Sequence, residues 1–369
     1  MTDQPDPRSS RTRSTQNDPK NPPTQEHARE TGIDPAGIAA WMATRTTVDP
    51  PLRFERITGG LSNLTYNMWD AAGRHWVLRR PPLHGVQQSA HDMGREHRIM
   101  AALEPSAVPV PSTIGLCEDP AVTGAPFFVM GYVDGMVMAE PDRVARTTDA
   151  GVRARAGESL IETLAALHDV DPDAVGLGDL GRREGYCARQ LKRWRGQWEK
   201  VRTRDVPQIV QAHDRLVTDI PAQDGTAIVH GDYRLDNLIL DPGGDVAAVV
   251  DWELCTLGDP LADLGTLWVY WKDADEDFSA LPQTVTDLPG FPGKSELVDR
   301  YAQASGRDLS DFEFYIALAH WRLAIILEGV YSRFSSGAYG DIPPQVRGFE
   351  QTVPALADAA LAATERSGR

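Results

Sequence analysis

Cysteine is scarce in this chain, with three among 369 residues: Cys117, Cys187 and Cys255. They lie far apart and form no C-x-x-C pair, which argues against a disulfide framework or a cysteine zinc site. The nine histidines show no metal-ligand spacing such as H-E-x-x-H. Positive charge is outnumbered, 37 Lys and Arg against 53 Asp and Glu, for a formal net charge of −16. A basic footprint is therefore missing, and neither a nucleic-acid nor a membrane partner is expected. No stretch reads as long and apolar enough to span a bilayer, and MTDQPDPRSS at the start lacks the apolar core of a signal peptide. A cytoplasmic location is the expectation. Residues 1–30 are also nearly devoid of apolar side chains and rich in Pro, Ser, Thr and Gln, as in a disordered tail.

What is present is concentrated in residues 226–267, TAIVHGDYRLDNLILDPGGDVAAVVDWELCTLGDPLADLGTL. A short apolar run, 227–229, leads into His230, Gly231 and Asp232, and four residues separate the aspartate from Asn237. Residues 238–240 read as a strand, 241–244 as a turn and 246–250 as a returning strand that ends in Asp251. Such a hairpin brings Asp251 back beside Asn237. The hard oxygens of Asn237 and Asp251 suit a small divalent cation, Mg2+, that borrows further ligands from nucleotide phosphates. Asp232 is then free to orient or deprotonate an attacking hydroxyl, so the trio suits magnesium-dependent phosphoryl transfer. Asp241 and Asp245 read as turn residues. Asp259 reads as the cap of a helix opening at Pro260.

HGDYRLDN, the hairpin, VVDWE and LGDPLADLG together resemble the aminoglycoside-phosphotransferase-like (aminoglycoside and choline kinase type) family. The likeness is to the branch that includes kinase domains fused to some acyl-CoA dehydrogenases, and it runs over about residues 35–365. The resemblance implies an α+β, protein-kinase-like bilobal fold: a small β-rich N-lobe over 31–130, then a hinge and a larger, mainly helical C-lobe over 131–369. It implies ATP and Mg2+ as cofactors, Asp232 as the catalytic residue, and Asn237 and Asp251 as metal ligands. His230 is expected to support the loop backbone and Asp263 to brace it. A small-molecule hydroxyl is the expected substrate; oligomeric state is not addressed by the sequence.

Toward the N-terminus, Asp34 and Pro35 begin a short helix with Ile38, Ala39, Trp41 and Met42 on its apolar face. Strands are expected at 52–58, 64–69 and 75–80. Gly59, Gly60, Ser62 and Asn63 lie in the loop between the first two, where backbone N–H groups can approach phosphate oxygens. An ordinary hairpin turn fits the two glycines equally well. Arg79 stands where relatives of this type carry a cation, usually lysine, and Glu96 on the helix 93–103 is its expected partner. An exposed ion pair is the alternative reading of the two. Arg80 should face the other side of its strand. After strands at 113–117 and 127–133, Met130, Gly131, Tyr132 and Val133 resemble a hinge whose backbone meets adenine, a base implied by the resemblance alone.

A helix is read over 148–168, with His168 as a capping or core residue. Residues 182–204 carry nine cations against two carboxylates, with Leu191, Trp194 and Trp198 on one helical face. This is either a solvated basic helix or a surface for an anionic acceptor such as a coenzyme A thioester. Residues 272–293 read as a lid or binding loop. Helices follow at 295–305, 311–334 and 354–363. The expected activity is phosphoryl transfer to a small-molecule alcohol, with a hydroxyacyl-CoA as one acceptor. An aminoglycoside or amino alcohol, or a catalytically silent nucleotide-binding role, are the alternatives.

Overall fold

The computed structural model describes residues 32–57, 63–83, 92–223, 225–276, 284–337 and 342–367. Helix α1 (Pro35–Met42) starts as its sequence requires, with the Asp34 carboxylate accepting from the N–H groups of Ala36 and Gly37. Strands β1 (Arg53–Ile57), β2 (Leu64–Trp69) and β3 (His75–Arg80) are followed by helix α2 (Met93–Leu103), then β4 (Thr113–Cys117) and β5 (Phe127–Gly131). The five strands form one antiparallel sheet in the order β1-β2-β3-β5-β4.

Strand periodicity divides this sheet between two cores. Met68, Trp76, Leu78, Phe127 and Val129 pack with Ile38 and Met42 of α1. The alternate residues Val77, Phe128 and Met130 face α2, where Ile99, Met100 and Leu103 carry them into the main core. Arg79 falls on the α2 side. Arg80 points the other way, buried, where its guanidinium donates to the carbonyl of Gly32 and, at 3.4 Å, to that of Thr123.

The second lobe contains α3 (Pro141–Thr147), α4 (Ala150–Asp169), α5 (Tyr186–Val201) and α6 (Pro207–Thr218). Two small antiparallel pairs follow, β6 (Ala227–Val229) with β9 (Thr256–Gly258), and β7 (Leu238–Leu240) with β8 (Val246–Val249). Helices α7 (Leu261–Tyr270), α8 (Lys294–Ser305), α9 (Phe312–Ser335) and α10 (Pro344–Ser367) complete it. The central element is α9, with Trp321, Ala324 and Ile325 wholly buried among α5, α6, α7 and α10.

Four expectations change. The last helix begins at Pro344, not 354, and Pro354 lies inside it. Helices α3 and α6 appear where none was read. The strand expected over 127–133 stops at Gly131, whose N–H turns to the Ser112 carbonyl at 2.8 Å. Contrary to the reading that no stretch is long and apolar enough for a membrane span, α9 meets that length and composition. Its apolar residues are explained by burial, since 72% of its most apolar window lies inside the protein.

Candidate active site

Strand β6 delivers His230, Gly231 and Asp232 to the end of the β6–β9 pair. Gly231 has φ +86°, and a Cβ there would meet the Leu254 carbonyl oxygen at 2.8 Å, so the position demands glycine. The loop is held from below by Asp263, in the first turn of α7, which is fully buried. Its Oδ2 accepts from the His230 N–H at 2.6 Å and its Oδ1 from the Gly231 N–H at 2.8 Å. Burial alone would raise the Asp263 pKa; the hydrogen bond from His168 and the other donors outweigh it and bring the carboxyl below its ordinary value.

His168 ends α4 with Nε2 3.4 Å from Asp263 Oδ2 and Nδ1 2.7 Å from the Tyr301 hydroxyl. Burial lowers its pKa. A neutral ring that donates from Nε2 and accepts at Nδ1 satisfies both partners. His168 is thus a core histidine with a further attachment, to the residue under the loop. His230 is likewise buried: Nε2 sits 3.0 Å from the Val250 carbonyl and Nδ1 accepts from the Asp232 N–H at 3.3 Å. From α9, Arg322 donates to the Gly231 carbonyl at 2.6 Å.

Asp232 is partly open to solvent. Asn237 Nδ2 donates to its carbonyl at 2.8 Å and to its Oδ2 at 3.1 Å. Arg234 Nε approaches the same Oδ2 at 3.4 Å. Among the described residues no hydrogen bond reaches Oδ1, which is therefore available to an incoming hydroxyl. The β7–β8 hairpin, closed by Asp241 through N–H donations from Gly243 and Asp245, pairs Leu238 with Val249. It continues as Val250 N–H to Asn237 carbonyl at 3.0 Å, so Asp251 does return beside Asn237. Asp251 has φ +66°, the one left-handed non-glycine among the described residues. That strain, of order 1–3 kcal/mol, sits at a residue whose direction matters.

Asp251 Oδ1 lies 2.5 Å from Arg79 Nη2, and Arg79 Nε lies 3.1 Å from Glu96 Oε2. Arg79 thus meets the partner expected for it, in a buried pair and not an exposed one. A third carboxylate, Glu253, stands 3.7 Å from Arg79 and accepts from Asn63 Nδ2 at 3.2 Å. Burial pushes the Glu96 carboxyl up to about 7 against the opposing pull of Arg79. Among the described residues no group of three or more His, Cys, Asp or Glu could hold an ion unaided. The amide oxygen of Asn237 and the carboxylate of Asp251 fit Mg2+ only as two ligands of a set completed by phosphate and water.

Gly59, Gly60 and Ser62 lie outside the described residues. At the hinge, Met130 is buried, Tyr132 is exposed and stacks 3.6 Å from the His75 ring, and Val133 is half-buried. The Gly131 N–H is already spent on Ser112, which removes one of the backbone donors expected to meet adenine. In the basic stretch, Arg183, Arg195, Arg202 and Arg204 are paired with carboxylates, whereas Lys192, Arg193 and Lys200 are exposed without an ion pair among the described residues. Asp259 does more than cap: Oδ1 accepts from the Leu261 N–H at 3.2 Å and Oδ2 from the Tyr315 hydroxyl at 2.7 Å.

Sequence reasoning passed over Glu253, Arg234, Asp236 and Arg322. Arg234, Asp236 and Glu253 stand inside the quoted motifs, but no local spacing pairs Glu253 with Asn63, and Arg322 has no local signal. A small pocket of about 40 Å3 is lined by Arg234, Asp236 and Tyr270, by Thr284 and Thr286 of the 272–293 segment, and by apolar neighbours including Trp271.

A sequence model of a phosphotransferase enzyme family matches residues 53–315. Acyl-CoA dehydrogenase family member 10 of Mus musculus is 35% identical over 305 residues, covering 81% of this chain and 28% of that protein. The chain spans about a third of the length of the curated relatives it matches. A solved structure from Ralstonia eutropha, provisionally described as an aminoglycoside phosphotransferase, superposes with a TM-score of 0.76 at 31% identity, over 90% of this chain and 98% of that one. A thermostable mutant of an aminoglycoside phosphotransferase, in a ternary complex with AMP-PNP and hygromycin B, superposes with a TM-score of 0.56 at 16% identity, over 90% of this chain and 99% of that one. The latter likeness is one of fold. The bilobal, kinase-like architecture is the one the motifs implied.

Proposed function

Because the chain belongs to the phosphotransferase enzyme family whose model covers residues 53–315, we propose that it transfers the γ-phosphoryl group of ATP, with Mg2+, to an alcohol of a small molecule. The observation that carries this reading is the convergence of Asp232, Asn237 and Asp251, with Asp232 Oδ1 open and Oδ2 held by Asn237. Asp232 takes the proton of the acceptor hydroxyl as its oxygen bonds to the γ-phosphorus. The bond from that phosphorus to the bridging oxygen breaks, and ADP leaves. Bound Mg2+ would supply charge neutralisation to the phosphates. Asn237 and Asp251 hold it, Arg79 offers its guanidinium to the phosphates, and Glu96 fixes Arg79. Asp263 and His230 keep the loop in register while the proton moves.

The acceptor we favour is a hydroxyacyl-CoA. Support comes from the unpaired cations Lys192, Arg193 and Lys200 on α5, and from relatives whose names place them among acyl-CoA dehydrogenases. An aminoglycoside or amino alcohol is the second reading, favoured by the net charge of −16 and by the Ralstonia structure.

The test is a Mg2+-dependent ATP-consumption assay against hydroxyacyl-CoAs, aminoglycosides and amino alcohols, with Asp232→Asn alongside. Turnover stimulated by one acceptor and reduced about 10²-fold or more in the variant is expected. A folded Asp232→Asn protein with near-normal turnover would remove the mechanism.

A further inference from the structure

Arg79 and Arg234 each approach a site carboxylate, and the proposed mechanism has used only Arg79. Arg234 lies two residues beyond Asp232 and lines the small pocket bounded by Asp236 and Tyr270. Its guanidinium rests over the Tyr270 ring, 4.9 Å from the centroid, and Nη1 is fixed by Asp236 Oδ2 at 2.9 Å. Two sides of a planar cation are thereby set. Its Nε, by contrast, is buried and out of hydrogen-bond alignment, with Asp232 Oδ2 as a long ion-pair partner at 3.4 Å. An arginine present only to hold Asp232 would aim that N–H at the carboxylate. A buried donor poorly served by its neighbours is unfavourable. Such a cost is accounted for when a ligand atom supplies the acceptor.

Geometry limits which atom that is. Oδ2 of Asp232 is turned toward Asn237 and Arg234, so the acceptor hydroxyl is handled by Oδ1, within about 3 Å. The γ-phosphorus then lies just beyond the acceptor oxygen, and its non-bridging oxygens gain exposure to whatever flanks the carboxylate. Arg234 flanks it.

Resting on the phosphotransferase reading, the geometry points to Arg234 as a second catalytic cation: its Nε–H donates to a non-bridging oxygen of the phosphoryl group in flight, on the acceptor side, opposite Arg79. Asp236 and Tyr270 are the residues that position it. The contact forms as the phosphoryl group moves toward Asp232, so it favours the transition state over bound ATP.

The test needs no knowledge of the acceptor. Affinities for Mg·AMP-PNP, and for Mg·ADP with and without aluminium fluoride as a mimic of the phosphoryl group in transfer, are measured for the wild type, Arg234→Met and Arg234→Lys. In the wild type, aluminium fluoride should tighten ADP by about tenfold or more. Arg234→Met should lose most of that gain while binding Mg·AMP-PNP within about threefold of wild type, and Arg234→Lys should recover part of it. A full aluminium fluoride gain in Arg234→Met overturns the proposal. An equal loss of Mg·AMP-PNP affinity in both variants overturns it too, because it marks a role in ground-state structure. Wild-type protein that neither binds Mg·AMP-PNP nor tightens ADP with aluminium fluoride overturns the phosphotransferase reading itself, and this inference with it.

Discussion

Asp263 has none of its surface exposed, yet its neighbours favour the charged form by donating two loop N–H groups and the His168 ring to it. In Asp263→Asn, the amide turns a donor toward groups that are themselves donors, at a cost of about 1–3 kcal/mol or more. The folded pKa lies below the unfolded value of 3.8, so the unfolded state binds the extra proton first as pH falls. The stabilisation is present above that value and is lost as pH drops through the folded pKa. Acid unfolding followed by circular dichroism should therefore show a steep low-pH limb in the wild type and a shallower one, from a lower starting stability, in Asp263→Asn. An unchanged limb would mean that the carboxylate does not hold the loop. Asp232, Asn237 and Asp251 could be brought together from sequence because local spacing sets their geometry, one loop and one hairpin, whereas Asp263 was reached through the family resemblance. Glu253 could not, since its partner Asn63 lies 190 positions earlier, and Arg322 reaches Gly231 across 91. No local pattern encodes such contacts.

Among elements, α10 departs furthest from its sequence-based expectation. Pro354 looked like a helix start because proline suits a first turn. Inside α10 it instead lacks the N–H that would bond the Glu350 carbonyl, four residues back. Arg204 supplies the missing donor at 3.0 Å. The same guanidinium holds Glu328 of α9, which is fully buried, at 2.7 Å, while the N–H and hydroxyl of Thr203 complete its partners. Burial would raise the Glu328 pKa, and the hydrogen bond from Arg204 leads the contributions that bring it down. Removing the cation strands a buried carboxylate and a helix carbonyl together. Arg204→Met is expected to lose about 3–5 kcal/mol in urea unfolding, with Glu328→Gln restoring part of the loss in the double variant. A loss below about 1 kcal/mol would show that water already serves both groups. By contrast, α2 matched its expected bounds, because an Asp92 cap and an apolar face at helical spacing are both local.

At the scale of the molecule, the two lobes share one apolar core and are tied in addition by charged contacts. Arg95, beside Glu96 on α2, donates to the Cys255 carbonyl at 2.6 Å and the Leu180 carbonyl at 3.1 Å, while Arg79 of β3 reaches Asp251 at 2.5 Å. The motifs made the bilobal plan legible; this arginine stitching depends on the assembled fold and was not. A consequence follows for ligand binding. On the proposed assignment, Asp251 cannot serve a cation fully while Arg79 holds its Oδ1, so Mg2+ with a nucleotide would draw Asp251 off Arg79 and offer that guanidinium phosphate oxygens in exchange. Nucleotide alone supplies the phosphates without the competing cation. Mg·AMP-PNP at about 100 times its dissociation constant should therefore stabilise the protein by about 2.7 kcal/mol, a rise of about 5 °C in Tm, with a smaller rise for AMP-PNP in EDTA. In Asp251→Asn the rise with AMP-PNP should be the same with Mg2+ as in EDTA, because the ligand that made the metal matter is gone. A thermal-shift titration of both proteins reads this directly. If Asp251→Asn keeps the full Mg2+ increment, the metal is held elsewhere, and the ion pair with Arg79 is then only a tie between the lobes.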